Sequence, residues 1–102
     1  EDIHYSIFLQ DGEFLGRVSL QYGRCKYPEI AIVVVKKYQN QGYGFKLLKE
    51  WCSWVHEVYG YSRLDILIDA ENEPSIRLFR KLDVKWDSKD SDVLECHIEL
   101  PL

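Results

Sequence analysis

The strongest constraint on the fold lies between residues 29 and 70, where the hydrophobic period changes twice. Residues 29–35 are nearly all apolar and β-branched, as expected of a central strand covered above and below. A polar, glycine-containing stretch follows at 36–44. Over residues 45–59 the period becomes helical. Leu47, Leu48, Trp51, Val55 and Val58 form one stripe, with Lys46, Lys49, Glu50, Ser53 and Glu57 largely elsewhere. Gly60 is placed to stop that helix. Residues 64–70 return to period two, with Leu64, Ile66 and Ile68 on one face. Strand, glycine loop, helix, strand is a βαβ unit, and its two strands should lie parallel.

The flanks read as antiparallel structure. Ile3, Tyr5, Ile7 and Leu9 alternate with more polar neighbours. Asp11-Gly12 suits a tight hairpin turn, with residues 14–22 as the returning strand. Residues 23–28 break the pattern. Pro74 sits in the first turn of a second helix that ends near Leu82 and turns Ile76, Leu78, Phe79 and Leu82 inward. Residues 84–86 and 93–100 form a closing antiparallel pair around a polar turn at 87–92. The expected fold is one α+β domain over residues 1–102. Its sheet is mixed but mostly antiparallel, with a central parallel βαβ unit and flanking helices. Exposed edges at 3–9 and 93–100 offer places for a second chain to pair, so a homodimer is one expected assembly.

Composition narrows the function classes. A net charge of -4 with no basic stripe argues against nucleic acid as a partner. No apolar run approaches the roughly 20 residues needed to span a bilayer, and the opening residues carry no signal-peptide pattern. Cys25, Cys52 and Cys96 are odd in number, widely spaced and without CxxC or His partners at ligand spacing. Reduced thiols in a cytoplasmic protein, with no metal site, are expected. His4, His56 and His97 have no constellation around them and read as surface or packing residues.

The loop Gln39-Asn40-Gln41-Gly42-Tyr43-Gly44 carries the chemistry. A loop between a strand's carboxyl end and a helix amino terminus collects unpaired N–H groups, and the helix dipole adds about half a positive charge there. Gly42 and Gly44 have no β-carbon, so anion oxygens can approach that backbone closely. Phosphate is the natural occupant. A P-loop would need Lys-Ser/Thr after the glycine, but Phe45 stands there. The dinucleotide fingerprint would need a third glycine where Leu47 stands. Two glycines alone also fit a simple tight turn.

The surroundings are more specific. Ile32-x-Val34, Tyr38-Gln39-x-Gln41-Gly42-x-Gly44 and Phe45-Lys46-Leu47-Leu48 together resemble the coenzyme A motif of the GNAT superfamily of N-acetyltransferases. The stretch from Ile66 through Asp69-Ala70-Glu71-Asn72-Glu73, Ser75-Ile76-Arg77-Leu78-Phe79 to Lys81-Leu82 looks like that family's next segment. There an Asn precedes a short helix. The resemblance covers about residues 29–84.

This resemblance implies acetyl-CoA as acyl donor and a primary amine as acceptor. Main-chain groups of Val33, Val34 and Val35 would meet the pantetheine arm. Gln39, Asn40, Gln41, Gly42, Tyr43, Gly44 and Phe45 would surround the pyrophosphate. Asn72, Ser75 and Phe79 would lie on the arm's far side, Asn72 reading equally as a helix cap. An amine of pKa near 10.4 is mostly charged at pH 7, and deprotonating it costs about 4–5 kcal/mol. Glu29, which opens the central strand, is the candidate base. Asp65 and Asp69 are further acids on one strand face. The resemblance places a tyrosine, as acid for the leaving thiolate, where this chain has Phe79. A phenyl ring donates no proton, which leaves Tyr43, Tyr38 or water. The family's Gly-Phe after that helix is replaced by Asp83-Val84.

The chain opens on Glu1, and the family's usual strand and helices before the hairpin have no counterpart ahead of Ile3. A compact or N-terminally truncated form with an open acceptor side is therefore expected. Two functions stay open: an N-acetyltransferase, and a non-catalytic acyl-CoA-binding sensor or regulatory module. A domain that binds no nucleotide is the third reading.

Overall fold

The computed structural model describes residues 2–23, 25–89 and 92–102. In chain order it has β1 (Ile3–Phe8), β2 (Phe14–Gln21), β3 (Glu29–Val34), a 3-10 turn (Lys36–Tyr38) and α1 (Tyr43–Tyr59). β4 (Arg63–Asp69), α2 (Glu73–Arg80), β5 (Lys85–Lys89) and β6 (Val93–Glu99) follow. The strands form one sheet in the order β1-β2-β3-β4-β6-β5. Only β3 and β4 are parallel among the described strands, as the βαβ reading requires.

The core follows from the two periodicities. Val18, Leu20, Ile30, Leu64, Ile66, Ile68, Cys96 and Ile98 alternate along their strands and are buried. They join Leu48, Trp51, Cys52 and Val55 of α1, and Ile76 and Phe79 of α2, in one cluster. Trp51 satisfies its indole N–H on the Ser19 carbonyl at 3.3 Å. Gly60 adopts φ 75° and donates to His56 O at 2.9 Å, ending α1 where expected.

Some expectations need correction. β3 is central in the sheet but is not covered along its length. Ile30 is buried, whereas Val33 is 63% exposed, because β3 lines a cleft rather than a packed layer. β6 is not an edge. It lies between β4 and β5, since pairing Arg63–Asp69 with Val93–Glu99 buries Cys96 and Ile98 beside Leu64 and Ile66. The outer positions belong to β1 and β5. α1 starts at Tyr43, so Gly44 lies inside its first turn. α2 ends at Arg80, short of Leu82. β5 reaches Lys89, taking up much of the expected turn, of which residues 90 and 91 lie outside the described ones.

Burial also orders the thiols. It pushes Cys52 and Cys96 up to about 12 from 9.0, while Cys25 is only partly buried. Between about pH 9 and 12 these thiols ionise in the unfolded chain but stay protonated in the fold. Stability is therefore intact below that window and falls as pH rises through it. At pH 8, a thiol reagent should label Cys25 first, with Cys52 and Cys96 reacting only on unfolding. Equal labelling of all three in the native chain would contradict this burial.

Candidate functional site: a cleft between two diverging strands

β3 and β4 touch at one point. Glu29 lies opposite Asp65, and the Asp65 N–H donates to Pro28 O at 2.8 Å. Beyond that pair no register is kept among the described residues, whereas β2 and β3 stay paired from Gln21–Glu29 to Gly16–Val34. The parallel strands therefore diverge toward their carboxyl ends. Divergence leaves strand-edge backbone groups unclaimed along a cleft.

That cleft is a cavity of about 290 Å³. Ile32, Val33 and Val34 form one wall, and Gln39, Asn40, Gly42, Gly44 and Phe45 close its end. Asn72, Pro74, Ser75, Arg77, Leu78 and Lys81 form the wall opposite. The closed end is built for an anion. Gly42 caps α1 with φ 87°, and the first bond of the helix is Lys46 N–H to Gly42 O at 3.2 Å. The amides of Tyr43, Gly44 and Phe45 precede it and have no helical carbonyl to meet. No acid lies in the first turn of α1 to compete with an incoming anion. Gly44 sits at the cleft's end, where a β-carbon would make ordinary contact with Leu78 at 3.4 Å and Val34 at 3.7 Å.

The loop's side chains shape it rather than reach into it. Gln39 Nε2 donates to Val34 O at 2.8 Å, and Gln41 Nε2 donates to Lys37 O at 2.9 Å. Asn40 takes φ 62°, a conformation that Asn tolerates better than most residues. Asn72 does cap α2, its Oδ1 accepting the Ser75 N–H at 3.3 Å, and it also lines the cleft.

Several expected site residues fall elsewhere. The Val35 N–H donates to Leu15 O and its carbonyl accepts from Tyr38 N–H, both at 2.9 Å. Its N–H is thus spent within the fold, while its carbonyl keeps a second lone pair. Phe79 is 3% exposed and belongs to the core, because α2 turns Leu78 and not Phe79 to the cleft. Gln41 and Tyr43 are absent from the lining; the Tyr43 ring meets Tyr38 edge-on at 5.5 Å. Tyr38 Oη donates to Glu13 at 2.9 Å and is committed there. Glu29 is no exposed strand-end charge, being 2% exposed at the vertex of the cleft. His56 Nδ1 meets Tyr61 O at 2.8 Å, a helix-end contact. His97 does have a constellation, and that expectation is corrected below.

Two cations escaped notice in the sequence. Arg77 and Lys81 line the same cleft as Gly42 and Gly44. Their spacing of four residues on a helix was the available signal, but the face they occupy is set by how α2 packs. With the α1 amides they make the cleft electropositive in a chain of net charge -4. Backbone amides, a glycine turn and two cations fit the phosphates of an acyl-CoA, and the half-buried Ile32, Val34 and Leu78 fit an extended apolar arm.

A central parallel pair opening onto a phosphate-type helix terminus defines a class, and the comparisons agree with it. The chain belongs to the GNAT acetyltransferase family: the family's Acetyltransferase (GNAT) domain matches residues 1–85. No curated protein matches it. Among solved structures it is similar to the spermidine N-acetyltransferase of Vibrio cholerae in complex with CoA and spermine. The TM-score is 0.82 at 13% identity, covering 96% of this chain and 65% of that one. It is also similar to Campylobacter jejuni N-acetyltransferase PseH in complex with acetyl coenzyme A. That match has TM-score 0.83 at 14% identity, covering 98% of this chain and 69% of that one. A GNAT-family acetyltransferase from Bacillus anthracis gives 0.82 at 18%, covering 94% and 65%. At such identities the likeness establishes the fold. The chain spans about 65% of the length of the Vibrio cholerae enzyme.

Proposed function

We propose that the cleft binds acetyl-CoA and that the chain transfers its acetyl group to a primary amine. The observation that carries this reading is the divergence of β3 and β4 onto the amides of Tyr43, Gly44 and Phe45, with Arg77 and Lys81 lining the same cleft. The pyrophosphate lies at those amides, and the arm runs along Val33 and Val34 with Asn72 and Ser75 across from it. The thioester then reaches the Glu29–Asp65 end. Bound acetyl-CoA supplies an acyl carbon open to an amine. The chain's own part is to hold the arm, exclude water with Ile32 and Leu78, and gather acidic groups at the vertex.

Acids at that vertex favour an amine that arrives as a cation. The Vibrio cholerae relative, named for spermidine and solved with spermine, supports that class of acceptor. A proton for the leaving thiolate comes by way of water, since Phe79 has none to give and the Tyr43 ring packs on Tyr38 at the opposite end of the cleft. Burial of Phe79 favours the second reading, an acyl-CoA-binding module without turnover.

Two measurements decide between them. Acetyl-CoA is expected to raise the melting temperature, by about 2.7 kcal/mol of stabilisation at 100-fold excess over Kd. Free thiol is expected to appear steadily when a panel of primary amines is added. Binding without thiol release from any amine would leave only the sensor reading. No thermal shift at millimolar acetyl-CoA would remove both.

A further inference from the structure

The sheet face turned away from the core carries a lateral row of polar residues. Cross-strand partners run from Gln21 on β2 through Glu29, Asp65 and His97 to Lys85 on β5. Directly opposed residues share a face and sit within about 5.5 Å of one another. The row therefore crosses the vertex at which β3 and β4 part. From Val34 back to Glu29, β3 rises about 17 Å, the length scale of an arm that ends in a thioester.

His97 differs from the other histidines. It is 8% exposed, and its Nδ1 lies 2.7 and 2.8 Å from the two carboxylate oxygens of Asp87. A carboxylate there holds the proton of the neutral ring on Nδ1 and leaves the lone pair on Nε2. Among the described residues only Nδ1 of the ring is engaged, and the residue keeps 8% of its surface exposed. Asp65 and Asp87 also line a cavity of about 390 Å³ with Lys26, Arg63 and Glu95. Arg63 is shared between Asp65 at 3.1 Å and Asp87 at 3.9 Å, and Lys85 is held by Glu99 at 2.9 Å.

We propose that His97 is the base that deprotonates the acceptor amine and that Asp87 positions it. This rests on the acetyl-transfer reading. Proton transfer from an amine of pKa about 10.4 faces a gap of about 4 units to an imidazole, but about 6 to a carboxylate. The imidazole is the better acceptor near neutral pH. Nε2 takes one proton from the ammonium, and the freed nitrogen pair bonds to the acyl carbon as the C–S pair passes to sulfur. The nitrogen's second proton ends on the thiolate, and that on His97 passes to water. The products are the amide, the thiol and one proton.

The test compares H97Q, D87N and E29Q with the unaltered chain, using 1,4-diaminobutane as the amine probe. H97Q is expected to lower kcat/KM by on the order of 10²–10⁴-fold, chiefly in kcat, and to erase the acidic limb of the pH profile. Groups facing the ring, and so able to move that limb, are Arg63, Asp65, Lys85, Asp87, Glu29, Glu95 and Glu99. D87N, at an exposed position, should cost on the order of tenfold or more by releasing the tautomer. E29Q should keep the limb. Acetyl-CoA affinity should stay within about twofold in H97Q, which separates a lost base from a lost fold.

A readout without acetyl-CoA is the ring ¹⁵N resonance of His97, which should move on adding the diamine alone. Retention of activity and of the limb in H97Q, loss of the limb in E29Q, or an unmoved resonance each overturns the assignment while leaving acetyl transfer in place. An unaltered chain that turns over no amine overturns the transfer reading, and the base with it.

Discussion

Gly16→Ala is expected to lower the melting temperature by roughly 10–20 °C and to weaken acetyl-CoA binding at the same time. A β-carbon at position 16 would stand 2.0 Å from Val33 O, 3.0 Å from Val33 C and 3.1 Å from Val34 Cα. All three are backbone atoms of β3, held in register from Gly16–Val34 to Gln21–Glu29. No rotamer change relieves such a contact. The strands must separate, and overpacking of this kind costs about 1–3 kcal/mol or more. In a chain of this size each kcal/mol moves the midpoint by about 4–8 °C. The displaced residues are those that line the cleft, so affinity should fall with stability. Calorimetry on G16A with and without acetyl-CoA checks both. A midpoint within about 2 °C of the unaltered chain would show that β3 yields freely here, and the close approach would lose its meaning.

Gly44→Asp is expected to reduce acetyl-CoA affinity by on the order of 100-fold or more while the fold survives. The new side chain would start between Leu78 and Val34, inside the cleft's closed end. It places a carboxylate where the phosphates belong, and like-charge juxtaposition costs several kcal/mol. The helix itself gains, since an acid in the first turn complements the dipole by about 0.3–1 kcal/mol. Melting temperature and affinity should therefore separate, unlike in G16A. Gly44→Ala is the steric control: its β-carbon meets the flexible end of Leu78 at 3.4 Å, which can give way, so its effect should be small. Titration of G44D that returned an affinity within about threefold of the unaltered chain would place the phosphates elsewhere.

Legibility from sequence followed the range of the physics. The βαβ unit was readable because strand and helix periods are local, and Leu47, Leu48, Trp51 and Val55 are buried as their spacing implied. The turn before α1 was readable because Gly42 serves a need of the backbone itself, a positive φ. The bonds of Val35 to Leu15 and Tyr38 were not readable, since they follow from how the chain turns after β3. Phe79 and Leu78 are both apolar and adjacent, and only the rotation of α2 decides which one faces the cleft.

His97 marks the limit most clearly. Its partner Asp87 is ten residues away, across a strand pair whose register shifts between Trp86 and Ser88. Its neighbour Asp65 comes from a strand beyond the second helix. By itself the sequence determined the family, the order of strands and helices, and a glycine turn at the start of α1, since these depend on contacts between near neighbours. The tertiary structure alone decided that β6 lies inside the sheet and that Arg77 and Lys81 line the same cleft as Gly42 and Gly44. It also decided that Glu29, Asp65 and His97 stand in one row. Each of these is set by pairing and packing between segments far apart in the chain, where hydrophobic burial, not local spacing, chooses the neighbour.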